Sequence, residues 1–205
     1  MEILNLFPTP VGIINVTEDL SPLEKFIKNL PYNKVAEGSS QISLRLDVLE
    51  DFPKVSQLLL KKFGEYVKNI SPDHLDFQIT TSWGTRCLGK VGNYSSVHSH
   101  KNSMYSGVLY FSNCESSGYF KVYDPLDDHK NFYIGENRSP NLYSSSMFMI
   151  KPEKNDLIFF PSYIKHMITP YYEKENRYSL AFNIVPVGRF GGEDSTLTIK
   201  NIRSK

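Results

Sequence analysis

The sequence predicts a mainly β, α+β domain in which two early helices pack on one sheet of a rolled β-structure. Three observations carry this. From about residue 77 to 187, short apolar runs alternate with turn residues almost without a break. Aromatic residues are abundant, with 13 Tyr and 13 Phe, and flat rings pack well on a pleated surface. Helical periodicity is confined to two stretches that precede the strands.

Taken in order, Pro8 and Pro10 exclude a regular helix over 4–16, so the chain opens extended. Ser21-Pro22-Leu23-Glu24 is a helix start, with serine as cap, proline at the first helical position and an acid in the first turn. Leu23, Phe26, Ile27 and Leu30 then fall on one stripe. A second helix is expected from Pro53 to about Val67. There Val55, Leu58, Leu59, Phe63 and Val67 share a face, and Lys61, Lys62 and Glu65 take the solvent. After Ser71-Pro72-Asp73 the reading changes to strands: 77–87, 94–100, 106–111, 119–123, 147–150, 156–160, 167–171 and 178–187. Gly118, Asp124-Pro125, Pro152-Glu153-Lys154-Asn155 and Glu173-Lys174-Glu175-Asn176 separate them. Such a run implies a sandwich or barrel with helices on one sheet. The polar stretch 127–146 is long for a loop, and reads equally as a lid, a substrate loop or plain disorder. The 205 residues fit one domain, with 1–75 supplying an N-terminal strand and supporting helices and 76–190 the β core.

Bulk properties narrow the function. Apolar residues make up 40%, enough for a proper core, and a net charge of +1 gives no global field for nucleic acid or anionic lipid. Cys87 and Cys114 do not make a disulfide framework, so a reducing cytoplasm is expected. Met1-Glu2-Ile3-Leu4 has an acid where a secretory leader needs bases. No apolar run approaches the ~18 residues of a membrane helix. Oligomeric state is not legible.

Three signals carry chemistry. His98-Ser99-His100 on a strand would place both imidazoles on one face, within reach of one metal ion. An isolated H-x-H is equally two surface histidines beside a turn. His166 follows a turn, the hydrophobic run Leu157-Ile158-Phe159-Phe160 and a proline-led loop. That is how a double-stranded β-helix, the jelly-roll or cupin-like architecture, returns its last metal ligand. Three ligands on one side leave open positions, as in facial-triad iron sites, except that a histidine replaces the carboxylate. Third, 177–184 alternates cleanly: Tyr178, Leu180, Phe182 and Ile184 form an apolar face, and Arg177, Ser179, Ala181 and Asn183 a polar or small one. The second face either meets water or, with a guanidinium fork and a hydroxyl at i+2, grips a carboxylate.

The ordered set of H-x-H, Ser-Gly-Val-Leu-Tyr-Phe, Asp-Pro, Leu-Ile-Phe-Phe-Pro-Ser-x-x-x-His and Arg-x-Ser-x-x-Phe-Asn resembles the 2-oxoglutarate- and iron(II)-dependent oxygenases. More narrowly it resembles a branch found in phages and marine bacteria, whose opening Leu6-Phe7-Pro8-Thr9-Pro10-Val11 also looks like. The resemblance spans nearly the whole chain. It implies iron(II) on His98, His100 and His166, with 2-oxoglutarate as cosubstrate. Arg177 and Ser179 would hold the distal carboxylate, helped by Tyr110, which is equally a packing residue. Asn183 would point towards the metal end, and Trp83 and Arg86 would line the pocket. The implied reaction hydroxylates a small molecule or protein side chain and releases succinate and CO2, in the cytoplasm of a bacterium or of a phage's host. His100 departs from the superfamily, which mostly has Asp or Glu there. With three neutral imidazoles, iron(II) and dianionic 2-oxoglutarate make a neutral complex, so the departure bears on activity and on retention of iron.

Two other readings stay open. Gly92-(x)5-His98-x-His100 matches the opening of the cupin signature, which would make a metalloprotein that does not use 2-oxoglutarate. The glutamate expected shortly after His100 is missing, however, and Arg177 would have no task. The other is a non-catalytic phage β-domain.

Overall fold

In a computed structural model, residues 1–3, 6–33, 38–71, 75–126, 143 and 145–202 are described. The stretch 127–146, read above as a lid, a substrate loop or disorder, lies outside the described residues except for 143, 145 and 146.

The chain enters through β1 (Gly12–Asn15), within the stretch that the prolines keep extended. The first helix, α1 (Ser21–Lys28), begins at the expected serine, but Ser21 is helical and does not cap. The Asp19 carboxylate instead accepts the Ser21 N–H at 2.9 Å. Short strands β2 (Tyr32–Asn33) and β3 (Gln41–Ser43) follow, then α2 (Pro53–Lys68), where Pro53 fits the first turn because its missing N–H has no intrahelical partner there. The β core comprises β4 (Asp76–Cys87), β5 (Tyr105–Tyr110), β6 (Phe120–Tyr123), β7 (Met147–Ile150), β8 (Asp156–Pro161), β9 (His166–Ile168) and β10 (Arg177–Phe190). A short β11 (Leu197–Ile199) pairs with β10.

The larger sheet runs β1-β8-β5-β10-β4-β3-β2 and the smaller β7-β6-β9. Their mainly antiparallel strands fold face to face as the double-stranded β-helix that the sequence predicts. Period-two alternation assigns each face of the larger sheet. On one side Leu109, Leu157, Phe159, Leu180, Phe182 and Ile184 meet Leu23 and Ile27 of α1 and Leu59, Phe63 and Val67 of α2. Phe63 is fully buried, its ring centroid 4.9 Å from Phe77, 5.1 Å from Tyr105 and 5.3 Å from Phe159. A ring so enclosed contributes about 3–5 kcal/mol relative to alanine. Gly107 is required here, because a Cβ would stand 2.3 Å from the Phe182 ring. On the other side Val108, Tyr110, Ile158, Phe160 and Ala181 face Phe120, Ile164 and Ile168 across the roll.

One expected strand is not regular. Residues 94–100 run beside β9 but form with it only the isolated bridge of His98 with His166, and just before, Asn93 bridges Tyr171 beyond the end of β9. The ladder breaks at Ser95, whose hydroxyl accepts the Ile168 N–H at 2.6 Å in place of a main-chain carbonyl. The opposing strand is also shorter than expected, ending at Ile168.

Candidate metal centre and carboxylate pocket

His98, His100 and His166 converge although no regular strand holds the first two. His98 and His166 exchange main-chain hydrogen bonds of 3.0 and 2.9 Å, and the His100 N–H reaches the Ser162 carbonyl at 2.9 Å. The i, i+2 spacing still sets both upstream rings on one side, 5.4 Å apart and inclined by only 19°. One potential ligand nitrogen from each of the three lies within 4.8 Å of the others, a spread that a single ion can bridge.

The hydrogen bonds fix which nitrogen faces the ion. Nδ1 of His98 lies 2.7 Å from the Ser96 carbonyl and Nδ1 of His166 2.9 Å from the Ile164 carbonyl. Carbonyls only accept, so each Nδ1 carries a proton, and in the neutral ring that binds a metal each Nε2 keeps its lone pair. Nδ1 of His100 lies 2.7 Å from Oδ1 of Asn183 and 2.9 Å from the Ser106 hydroxyl. Asn183 in turn donates to Thr81 at 3.1 Å, which turns its oxygen towards His100. Ser106, Ser162 and Ser103 continue as a chain of hydroxyls at 2.8 and 2.9 Å. Asn183 therefore does point to the metal end, but it acts through His100. Burial strengthens the same protonation state. It pushes the His166 pKa down to about 3 and lowers that of His100, because charging an imidazole among Phe120, Phe160 and their neighbours forfeits hydration.

The same cavity, about 420 Å3, extends along the inner face of β10 to Arg177. Arg177, Ser179, Ala181 and Asn183 all line it, so this polar face of the strand meets the cavity and not bulk water. Arg177 is only 1% exposed. Its guanidinium donates to the Gly118 carbonyl at 2.6 Å and contacts the sulfurs of Cys114 at 3.7 Å and Cys87 at 3.5 Å. The rings of Tyr110 and Tyr171 sit 5.4 and 5.6 Å from it. No carboxylate among the described residues pairs with it. Arg177 Nε and the Tyr110 hydroxyl are both buried without a hydrogen-bond partner. Burial pushes the Tyr110 phenol up, so it stays a donor. Ser179 shares a hydrogen bond with Thr85 on β4. Two neighbouring donors beside an unpaired buried cation fit one anionic, two-oxygen group.

Trp83 lines the cavity as expected, its ring 5.6 Å from that of His100. Arg86 does not. It lies on the opposite face of β4, bonded to Gln41 at 2.7 Å and stacked over Tyr32 at 4.6 Å. Strand alternation from Trp83 already requires this. Thr81, Thr85, Ser106, Gly118 and the two cysteines are site residues that sequence reasoning missed. Their register against β10 is the only signal for most of them, and one strand read alone does not contain it.

A rolled double sheet with an imidazole trio at one end of its cavity and a buried guanidinium at the other defines a metal-dependent enzyme of the double-stranded β-helix class. The family model described as "Putative 2OG-Fe(II) oxygenase" matches residues 81–183, half of the chain, and the chain belongs to that 2-oxoglutarate/iron(II) oxygenase family, whose members are oxidoreductases. Solved structures share the fold. An oxidoreductase of the 2OG-Fe(II) oxygenase family from Burkholderia pseudomallei superposes with TM-score 0.61 at 13% identity, covering 85% of this chain and 84% of that one. HygX from Streptomyces hygroscopicus, with nickel and 2-oxoglutarate bound, gives 0.58 at 14%, covering 87% and 83%. A Pseudomonas putida prolyl-4-hydroxylase gives 0.52 at 14%, covering 85% and 92%. No curated protein matches the chain.

Proposed function

We propose that residues 1–205 act as one catalytic unit, 1–75 supporting and 76–190 forming the core, that hydroxylates a small molecule or a protein side chain with 2-oxoglutarate and O2. The observation that carries this reading is the buried Arg177 guanidinium, which has no carboxylate partner among the described residues and shares a cavity with three converging imidazoles. His98, His100 and His166 would hold iron(II) through Nε2. Arg177, with Tyr110 and Ser179, would hold the distal carboxylate of 2-oxoglutarate, and Asn183 would orient His100. When bound, iron(II) supplies oxygen activation coupled to oxidative decarboxylation of 2-oxoglutarate to succinate and CO2.

The chain's own residues do the rest. The Nδ1 hydrogen bonds hold all three imidazoles aimed with Nε2 free to meet an ion, and burial favours the neutral form of His100 and His166. The guanidinium orients the cosubstrate by its charged end, and Phe120, Val108 and Ile168 keep water from the reacting carbon. A cupin-type site without 2-oxoglutarate leaves the Arg177 pocket without a task, and a non-catalytic domain leaves both ends without one.

The two unpaired, buried cysteines suit a reducing compartment, so we place the enzyme in the cytoplasm, that of a bacterium or of a phage's host. Among the described residues no helix is long and apolar enough to cross a membrane. The reading is tested by adding 2-oxoglutarate to the anaerobic iron(II) protein. A weak visible charge-transfer band is expected, together with a rise in melting temperature that disappears in Arg177→Ala. Stoichiometric iron with neither response refutes it.

A further inference from the structure

The mouth of the cavity carries a second chemical message, which rests on the reading of the site just given. Beyond His100 the described lining is built from Trp83 on β4, Ile42 on β3, Leu46 after it and Lys101 beside the metal centre. Pairing of Ile42 with Thr85 sets its side chain on the cavity face of the larger sheet. Ile42 and Leu46 remain 37% and 55% exposed, an apolar rim next to an indole. Such a rim at a cavity entrance is the usual mark of a ligand's apolar body. Lys101 is exposed and has no hydrogen-bond or ion-pair partner among the described residues.

Charge is the second half of the argument. The described lining holds two cations, Lys101 and Arg177, and no Asp or Glu. Imidazoles bind a metal ion as neutral donors, so the three histidines would add no charge to the loaded site. The two charges of iron(II) and the two of 2-oxoglutarate cancel, so the loaded cavity keeps the positive charge of both side chains. A carboxylate at position 100 would have removed one unit. In a low-dielectric cleft such an excess favours anions and disfavours ammonium groups.

We infer that the substrate is a carboxylate or other anion with an apolar, ring-sized body. The body rests on Trp83, Ile42 and Leu46, and the anionic group meets Lys101. An amine or other cation is disfavoured.

Trp83 is the only tryptophan of the chain, so its emission reports occupancy of this mouth without turnover. The protein is loaded with zinc(II) and saturating 2-oxoglutarate, which blocks catalysis and fills the Arg177 pocket. It is then titrated with phenylacetate, phenethylamine, phenethyl alcohol and acetate. Phenylacetate is expected to quench Trp83 and to bind about tenfold or more tighter than either the amine or acetate. Lys101→Glu should abolish or reverse the preference over the amine. The double change Ile42→Ser, Leu46→Ser should remove the preference over acetate. Equal affinity for acid and amine, tighter binding of the amine, no binding of phenylacetate, or a preference unaltered in Lys101→Glu overturns the inference. Failure of the parent reading is separate. It shows as no response of the metal-loaded wild type to 2-oxoglutarate itself, whereas a Lys101→Glu protein that still responds to 2-oxoglutarate is a folded control.

Discussion

The two ends of the cavity are built on opposite principles. At the metal end every Nδ1 has a partner, and Asn183 and Ser106 are themselves held by Thr81 and Ser162. At the guanidinium end Arg177 Nε and the Tyr110 hydroxyl have none. The first end is finished by the fold. The second is finished by what binds there, since an unpaired buried cation costs stability until an anion meets it. One strand, β10, serves both, with Asn183 and Arg177 on the same face.

Substitutions can break this contrast. The largest effect is expected for His166→Ala, which removes one of the three proposed ligands. Metal affinity should fall by more than the roughly 100-fold that losing an outer-sphere partner costs, read as metal content after dialysis. Next is Arg177→Met. It should weaken 2-oxoglutarate binding by about 100-fold, from about 3 kcal/mol of lost charge-assisted bonding, while metal affinity stays unchanged. Because it also removes an unpaired buried charge, the ligand-free protein should melt higher. A drop in metal affinity would show that the ends are not separable. Asn183→Leu should do the reverse, with metal affinity down about 10–100-fold and the 2-oxoglutarate affinity of the fully metal-loaded protein preserved. Tyr110→Phe should be mild, raising the 2-oxoglutarate Kd by about fivefold for one lost hydrogen bond of about 1 kcal/mol.

Acid provides a smaller, global test. His166 is depressed from an ordinary value of 6.5 to about 3 by burial, so between these values the unfolded chain binds a proton that the folded one refuses. Stability is therefore present above pH 6.5 and is lost as pH falls towards 3. From pH 8 to 5 this one group removes about 2 kcal/mol, measured by urea melts of metal-stripped protein. His166→Gln should flatten that slope.

The sequence states β10 almost completely, because its two faces differ at every step and strand periodicity turns that difference into geometry. Both helices are equally legible from their apolar stripes. Strands β2 and β3 are not, because two or three residues carry no period. The three converging histidines are legible as residue types in an order. The irregular course of 94–100 was not, since it turns on the Ser95 side chain taking a main-chain role against β9. The surroundings of Arg177 were least legible. Cys87, Cys114 and Gly118 reach it from distant segments, and only the closed roll brings them together.

The paired main-chain bonds between His98 and His166 bear on how the protein is supplied with its ion. Two of the three imidazole positions are spliced together by backbone, so an arriving cation does not have to gather them from a slack chain. Loading and unloading then need not melt the roll. A site with this property has less ordering left to do when an ion arrives, so it binds more tightly than the same imidazoles on a slack chain would.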